Sequence, residues 1–327
     1  MLPTVDELLD GAVVVSLPMR VRFRGITARE VLLLHGPAGW GEFGPFPEYG
    51  DDEAAYWLQS AIEAAWQGRP APRRSRIAVN ATVPAVGPDR VPDVLARFPG
   101  ARTAKVKVAE PGQDLAQDLA RVRAVRELVP AVRIDANGGW TVDEAARALT
   151  ALTADGPLEY AEQPCASVPE LVELRRRVPG IRVAADESIR RADDPLRVVR
   201  AGGADVAVVK VAPLGGVRRL VDLAGELSAH GVEVVVSSAL DSVVGIATGL
   251  AAAAALPELP YACGLGTGGF FTADVAPPLH MSEGSLEVVS VAPDPELLGA
   301  VRAAPNRVEW WHDRLKRCRS VLAGRGL

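Results

Sequence analysis

Cysteine and histidine are scarce: Cys165, Cys263 and Cys318, and His35, His230, His280 and His312, are all that 327 residues contain. Three widely separated cysteines exclude a disulfide framework and a Cys-rich zinc site, and fit a reducing, cytoplasmic setting. No two histidines lie within five residues of each other, so helical His-pair metal motifs are absent. Positive charge is not in excess either. Lys and Arg number 36 against 41 Asp and Glu, a net charge of −5, which is a poor match to a phosphate backbone, and no nucleic-acid partner is expected. The most apolar run, residues 243–256, falls short of the roughly 20 residues of a bilayer span and reads as a buried, Ala-rich helix. The N-terminal stretch carries Asp6, Glu7 and Asp10 where a signal peptide is basic, so no membrane partner is expected. Hydrophobic residues at 48% and charged residues at 24% exclude disorder as the main theme.

What is present divides into three stretches. Residues 1–75 read as extended segments (VVVSLPM, VRFRGIT, REVLLLHG), a turn-rich PFPEYGDD and a helix over EAAYWLQSAIEAAW, a small α+β module. Over 76–275 short β-branched runs recur: RIAVNATV, TAKVKV, VRIDAN, LEYAEQP, IRVAADES, ADVAVVKV, VEVVVSSA and PYACGLG. They are spaced by about 25–30 residues with helical patterns between them, which indicates a (β/α)₈-type barrel in preference to a doubly wound sheet. Residues 276–327 end in a helix around EWWHDRLKRCRSVL and are expected to return to the N-terminal module, completing an α+β capping domain. The run Arg314, Lys316, Arg317, Arg319 reads as a solvated helix face.

Ionisable residues cluster at the C-terminal ends of the strands, where barrel active sites are built. Lys105 and Lys107 are two apart on the second strand, so both face the barrel interior. Burial beside like charge is expected to lower a lysine pKa and supply an amine base. Asp135, Glu162 and Asp186 follow at matching positions on strands three, four and five, an arc of hard oxygen donors suited to Mg²⁺. Lys210 ends strand six, across the barrel. Lysines on both sides of a carboxylate-bound metal suit removal of a proton α to a carboxylate.

At KVK, DANGGW, EQP, DES and VKVAPLGG the chain resembles the muconate-lactonizing branch of the enolase superfamily, over essentially its whole length and including GWGEFGPFPEYG. Within that branch it is most similar to the o-succinylbenzoate synthase family of menaquinone biosynthesis, through Arg133 before Asp135, SSALDSVVG and CGLGT. The resemblance implies a syn dehydration of 2-succinyl-6-hydroxy-2,4-cyclohexadiene-1-carboxylate. It assigns Lys107 as base, Lys210 as the opposite-face lysine, Lys105 as the group tuning Lys107, and Asp135, Glu162 and Asp186 as Mg²⁺ ligands, with Mn²⁺ able to substitute. Arg133, facing inward, is expected to bind a substrate carboxylate or to pair with a ligand carboxylate. Ser237, Ser238 and Gly264 are expected at the substrate, Asn137 near a ligand, and Glu187 facing away. Loops 20–27 and 46–52 would set specificity, and the oligomeric state is left open.

N-acylamino acid racemases and muconate cycloisomerases use the same lysines and metal and remain alternatives. CGLGTGG lacks the Asp-x-Asp pair of dipeptide epimerases, and strand seven lacks the histidine of the mandelate racemase branch. Gly264, Gly266 and Gly269 form G-x-G-x-x-G, but no clean helix start follows, against a dinucleotide site. A Schiff-base aldolase would leave the three carboxylates without a role. A non-catalytic barrel would be expected to have lost a ligand or base, and none is missing.

Overall fold

The structure, a computed structural model, describes residues 2–23, 25–190 and 194–326, without the side chains of residues 21–23 and 190. Residue 24 and the side chains of 21–23, within the expected specificity loop 20–27, therefore lie outside the described residues. An antiparallel sheet of β1 (Val13–Phe23), β2 (Ile26–Gly36) and β3 (Gly39–Phe43) opens the chain. The helix Asp51–Ile62 packs on it. The buried residues Leu32, Leu34, Phe43, Trp57 and Leu58 share one core with Trp311, Leu315, Cys318 and Leu322 of the last helix, Pro305–Gly324. The chain's two ends thus bury one another's apolar faces.

A short antiparallel pair joins β4 (Arg76–Ala78) to a late strand near residue 286. The barrel strands follow: β5 (Ala81–Val83), β6 (Thr103–Lys107), β7 (Ala131–Asp135), β8 (Ala161–Glu162), β9 (Val183–Ala185), β10 (Val206–Lys210) and β11 (Glu233–Ser237). They lie side by side in sequence order, each parallel to the next. Closure comes from Cys263, bridged to Val79, and Gly264, bridged to Ser237. The late strand is β12 (Ser285–Glu287).

Local reasons for these elements are plain. β10 is a buried, β-branched run, as a strand covered on both faces should be. The helix Val142–Thr153 buries Ala145, Ala148, Leu149 and Leu152, one helical face, and starts at a Thr141–Glu144 capping box. The helix Val243–Ala255 is buried almost all round, lying between the barrel core and the capping core. Among the described residues no helix is long and apolar enough to cross a membrane.

Three expectations need correction. RIAVNATV is two short strands, because Ala78 and Asn80 turn their backbone to Cys263. The eighth barrel segment is not followed by a barrel helix. Its Gly- and Pro-rich sequence forms only a 3₁₀ turn, Thr267–Phe270. Arg314 is buried, not solvated, and donates to the carbonyls of Phe46 and Tyr49 at 3.0 and 2.6 Å. The last helix is thereby pinned to the loop before residue 51.

Candidate active site

The strand register sets the site. Lys107 pairs with Asp135, and Asp135 with Glu162, across adjacent strands, so their side chains stand in one layer at the mouth of the barrel. Asp186 follows the end of β9 and Lys210 ends β10. Asp135, Glu162 and Asp186 are buried residues, 1–3% exposed. Lys107 Nζ donates to Asp135 Oδ2 at 2.6 Å and to Asn137 Oδ1 at 2.5 Å. Lys105 Nζ reaches both oxygens of Glu162 at 2.7 and 2.9 Å, and Asp135 Oδ2 at 3.1 Å. Lys210 Nζ donates to Asp186 Oδ2 at 2.5 Å. Lys105, Lys107, Asp135, Asp186 and Lys210 line one pocket, and Glu162 lies beside it through Lys105.

The electrostatics follow from burial. It works against the Lys105 ammonium, yet Asp135 and Glu162 hold its pKa well above the ordinary value. The acidic neighbours on β7 and β8 outweigh the cost of burial, so Lys105 is held as an ammonium. Burial works against the Asp135 carboxylate too, but Lys105 and Lys107 pull its pKa down. Glu162 is pushed up to about 7, first by burial and then by Asp135.

Around these groups Thr82, Asn137, Glu187, Ser237, Ser238, Leu240, Gly264 and Thr267 line a cavity of about 50 Å³. Ser238 and Thr267 share a hydroxyl hydrogen bond of 2.6 Å. A Cβ at Gly264 would stand 2.4 Å from Ser237 Oγ, so a larger residue there must displace the serine hydroxyl. Glu187, expected to face away, lines the pocket and accepts from Asn137 Nδ2 at 3.4 Å. Thr82 and Thr267 were not singled out in the sequence, and an isolated threonine at a strand end carries no signal of its own. The chain has only four lysines against thirty-two arginines, and three of the four meet here.

Arg133 does not join them. It points inward but one layer lower, in register with Lys105. There it is fully buried, with Nε on Glu159 Oε2 at 2.6 Å and Nη1 on the Ala262 carbonyl at 2.7 Å. The rings of Tyr160 and Tyr261 stack at 4.8 and 5.3 Å from its guanidinium carbon. This placement sets Arg133 beneath the pocket, one layer below Asp135. Its carboxylate partner is Glu159 and none of the three acidic residues of the mouth.

Models of two domain families match the chain: Enolase N-terminal domain-like over residues 14–65 and Enolase C-terminal domain-like over residues 93–295. The o-succinylbenzoate synthase of Mycobacterium ulcerans is 65% identical over 319 residues, covering 98% of this chain and 96% of that protein. That of Mycobacterium tuberculosis is 64% identical over 321 residues, covering 98% and 97%. The chain belongs to the o-succinylbenzoate synthase family of the enolase superfamily. Among solved structures it is similar to muconate lactonizing enzyme from Pseudomonas fluorescens complexed with muconolactone (TM-score 0.76, 21% identity, 89% of this chain and 98% of that one). It is also similar to the L-Ala-D/L-Glu epimerase of Bacillus subtilis (TM-score 0.71, 20% identity, 84% and 94%). These two likenesses show the shared barrel and capping domain.

Enolase-superfamily enzymes use a divalent metal. In this chain no three acidic, imidazole or thiol groups among the described residues are grouped as a ready-made metal site. The three carboxylates of the mouth turn instead to the ammonium groups of Lys105, Lys107 and Lys210. The donor set nonetheless fits a hard cation: three buried carboxyls on consecutive strands, without sulfur or imidazole.

Proposed function

We propose that this chain is a Mg²⁺-dependent carbon–oxygen lyase that dehydrates 2-succinyl-6-hydroxy-2,4-cyclohexadiene-1-carboxylate to 2-succinylbenzoate, in a reducing cytoplasm. The observation that carries the reading is a pair of lysines, Lys107 and Lys210, on either side of a buried carboxylate arc. It occurs in a chain that matches o-succinylbenzoate synthases over nearly its whole length.

In this reading the Lys107 amine takes the proton α to the substrate carboxylate. The electron pair left behind forms the new ring double bond as the ring C–O bond breaks. The departing hydroxide collects the proton from Lys107, so the products are 2-succinylbenzoate and water. Aromatisation of the ring drives the step forward. Lys210 presents an ammonium from the other side of the barrel to the negative charge that develops on the substrate carboxylate. Asp135, Glu162 and Asp186 would hold Mg²⁺, which supplies further neutralisation of that charge. Lys105, bridging Glu162 and Asp135, fixes the acidic arc and the field around Lys107. Ser237 and Gly264 form the wall nearest the substrate's side chain.

The test is to incubate the protein with Mg²⁺ and the cyclohexadiene substrate and follow the aromatic product. Turnover that EDTA abolishes supports the proposal. Absence of turnover, with Mg²⁺-dependent exchange of the α-proton of N-acylamino acids, would overturn the substrate and keep the lysines and metal.

A further inference from the structure

Gln163 follows Glu162 directly and is fully buried. It touches no reacting group in the mechanism above, yet its hydrogen-bonding groups are spent on the elements that carry the three acidic residues. Side-chain Oε1 accepts from the backbone N–H of Asp186 at 3.1 Å and of Ser188 at 3.2 Å. Side-chain Nε2 donates to Ser188 Oγ at 2.8 Å and to the Cys165 carbonyl at 2.9 Å. Its backbone N–H donates to Ala184 O at 2.8 Å, and its carbonyl accepts from Gly138 N at 2.6 Å. One residue thus ties the loop after Asp135, the strand of Glu162, and both sides of Asp186. Its φ is +37°, a left-handed backbone that non-glycine residues adopt at a cost in free energy. A buried, strained residue with this many partners is the arrangement that holds neighbouring groups in fixed positions.

We infer that Gln163 is a positioning residue that fixes the mutual spacing of Asp135, Glu162 and Asp186 and so sets the affinity of the site for a divalent cation. The inference rests on the metal-binding reading of those three residues. The side chain must accept twice and donate twice at this length. Methionine matches its shape but leaves the Asp186 and Ser188 N–H groups and the Cys165 carbonyl without it. Asparagine keeps the amide and tolerates a left-handed backbone, but is one methylene too short to reach both sides.

The test measures Mg²⁺ binding by calorimetry and the electron paramagnetic resonance spectrum of bound Mn²⁺ for the wild type, Gln163→Met and Gln163→Asn. Circular dichroism and metal-free melting accompany each protein. The expected result is cation binding weakened roughly ten- to a hundredfold in both variants, an altered Mn²⁺ spectrum, and activity that recovers as Mg²⁺ is raised. A variant that melts earlier but binds cation within twofold of the wild type would show a structural role only and overturn the inference. If Gln163→Met does not fold, Gln163→Asn decides. A wild type that binds neither cation overturns the metal reading itself, and this inference with it.

Discussion

Glu42 of β3 lies in the seam between the capping sheet and the barrel, and it offers a prediction that is independent of catalysis. Its Oε2 accepts from the Ser242 N–H at 3.0 Å and from the Ser242 hydroxyl. Asp241, Asp274 and Arg29 are the charged groups around it. Burial, reinforced by Asp241, pushes the Glu42 carboxyl from 4.5 to about 8. The folded protein therefore holds a proton here that the unfolded chain has released, across the window from pH 4.5 to about 8. Stability from this group is fully present below pH 4.5 and is lost as pH rises through about 8. A shift of that size corresponds to about 5 kcal/mol. Glu42→Gln keeps an acceptor for Ser242 and removes the titration. In thermal melts in EDTA, the variant should match the wild type near pH 5 and melt about 10 °C higher above pH 8, at roughly 2 °C per kcal/mol for a chain of this size. Melting curves for the two proteins that stay parallel from pH 5 to pH 9 would refute the buried, protonated Glu42.

Three further substitutions test other parts of the account. Gly264→Ala sets a Cβ against Ser237 Oγ and should cost about 1–3 kcal/mol as well as activity; adding Ser237→Gly removes the clash and should recover melting temperature but not the steady-state rate. Arg314→Ala removes the donors to the Phe46 and Tyr49 carbonyls; a loss of about 2–3 kcal/mol, faster proteolysis within 46–52 and a raised KM are expected. Arg133→Met strips Glu159 of its partner beneath the pocket and should lower stability by about 3 kcal/mol while leaving KM unchanged; a KM effect without destabilisation would return Arg133 to the substrate.

The site was legible because barrel chemistry is confined to strand ends, and the strand ends of this chain are short runs that stop at Lys107, Asp135, Glu162 and Lys210. A period of two tells which way a side chain faces but not how deep it sits. Arg133 therefore read as a neighbour of Asp135, although two residues along a strand place it about 6.6 Å lower, against Tyr160. The surroundings of Lys105 are hidden in the sequence for a related reason. Its sequence neighbour is another lysine, whereas Glu162 and Asp135, which decide its charge, come from other strands. Arg314 shares a helix with Lys316, Arg317 and Arg319, and no local pattern marks it as the one that enters the Phe46–Tyr49 loop. The eighth barrel segment shows the opposite limit: PYACGLG reads as a strand, but it pairs only at Cys263 and Gly264.

The central claim is that Lys107 takes the proton. Its most direct measurement is the rate of 2-succinylbenzoate formation by Lys107→Ala at saturating Mg²⁺, with cation affinity measured on the same sample. The expected rate is lower by roughly 10²–10⁴-fold with cation binding retained, since Lys107 contacts Asp135 but is not itself among the acidic donors. Dehydration within a few fold of the wild type would contradict it.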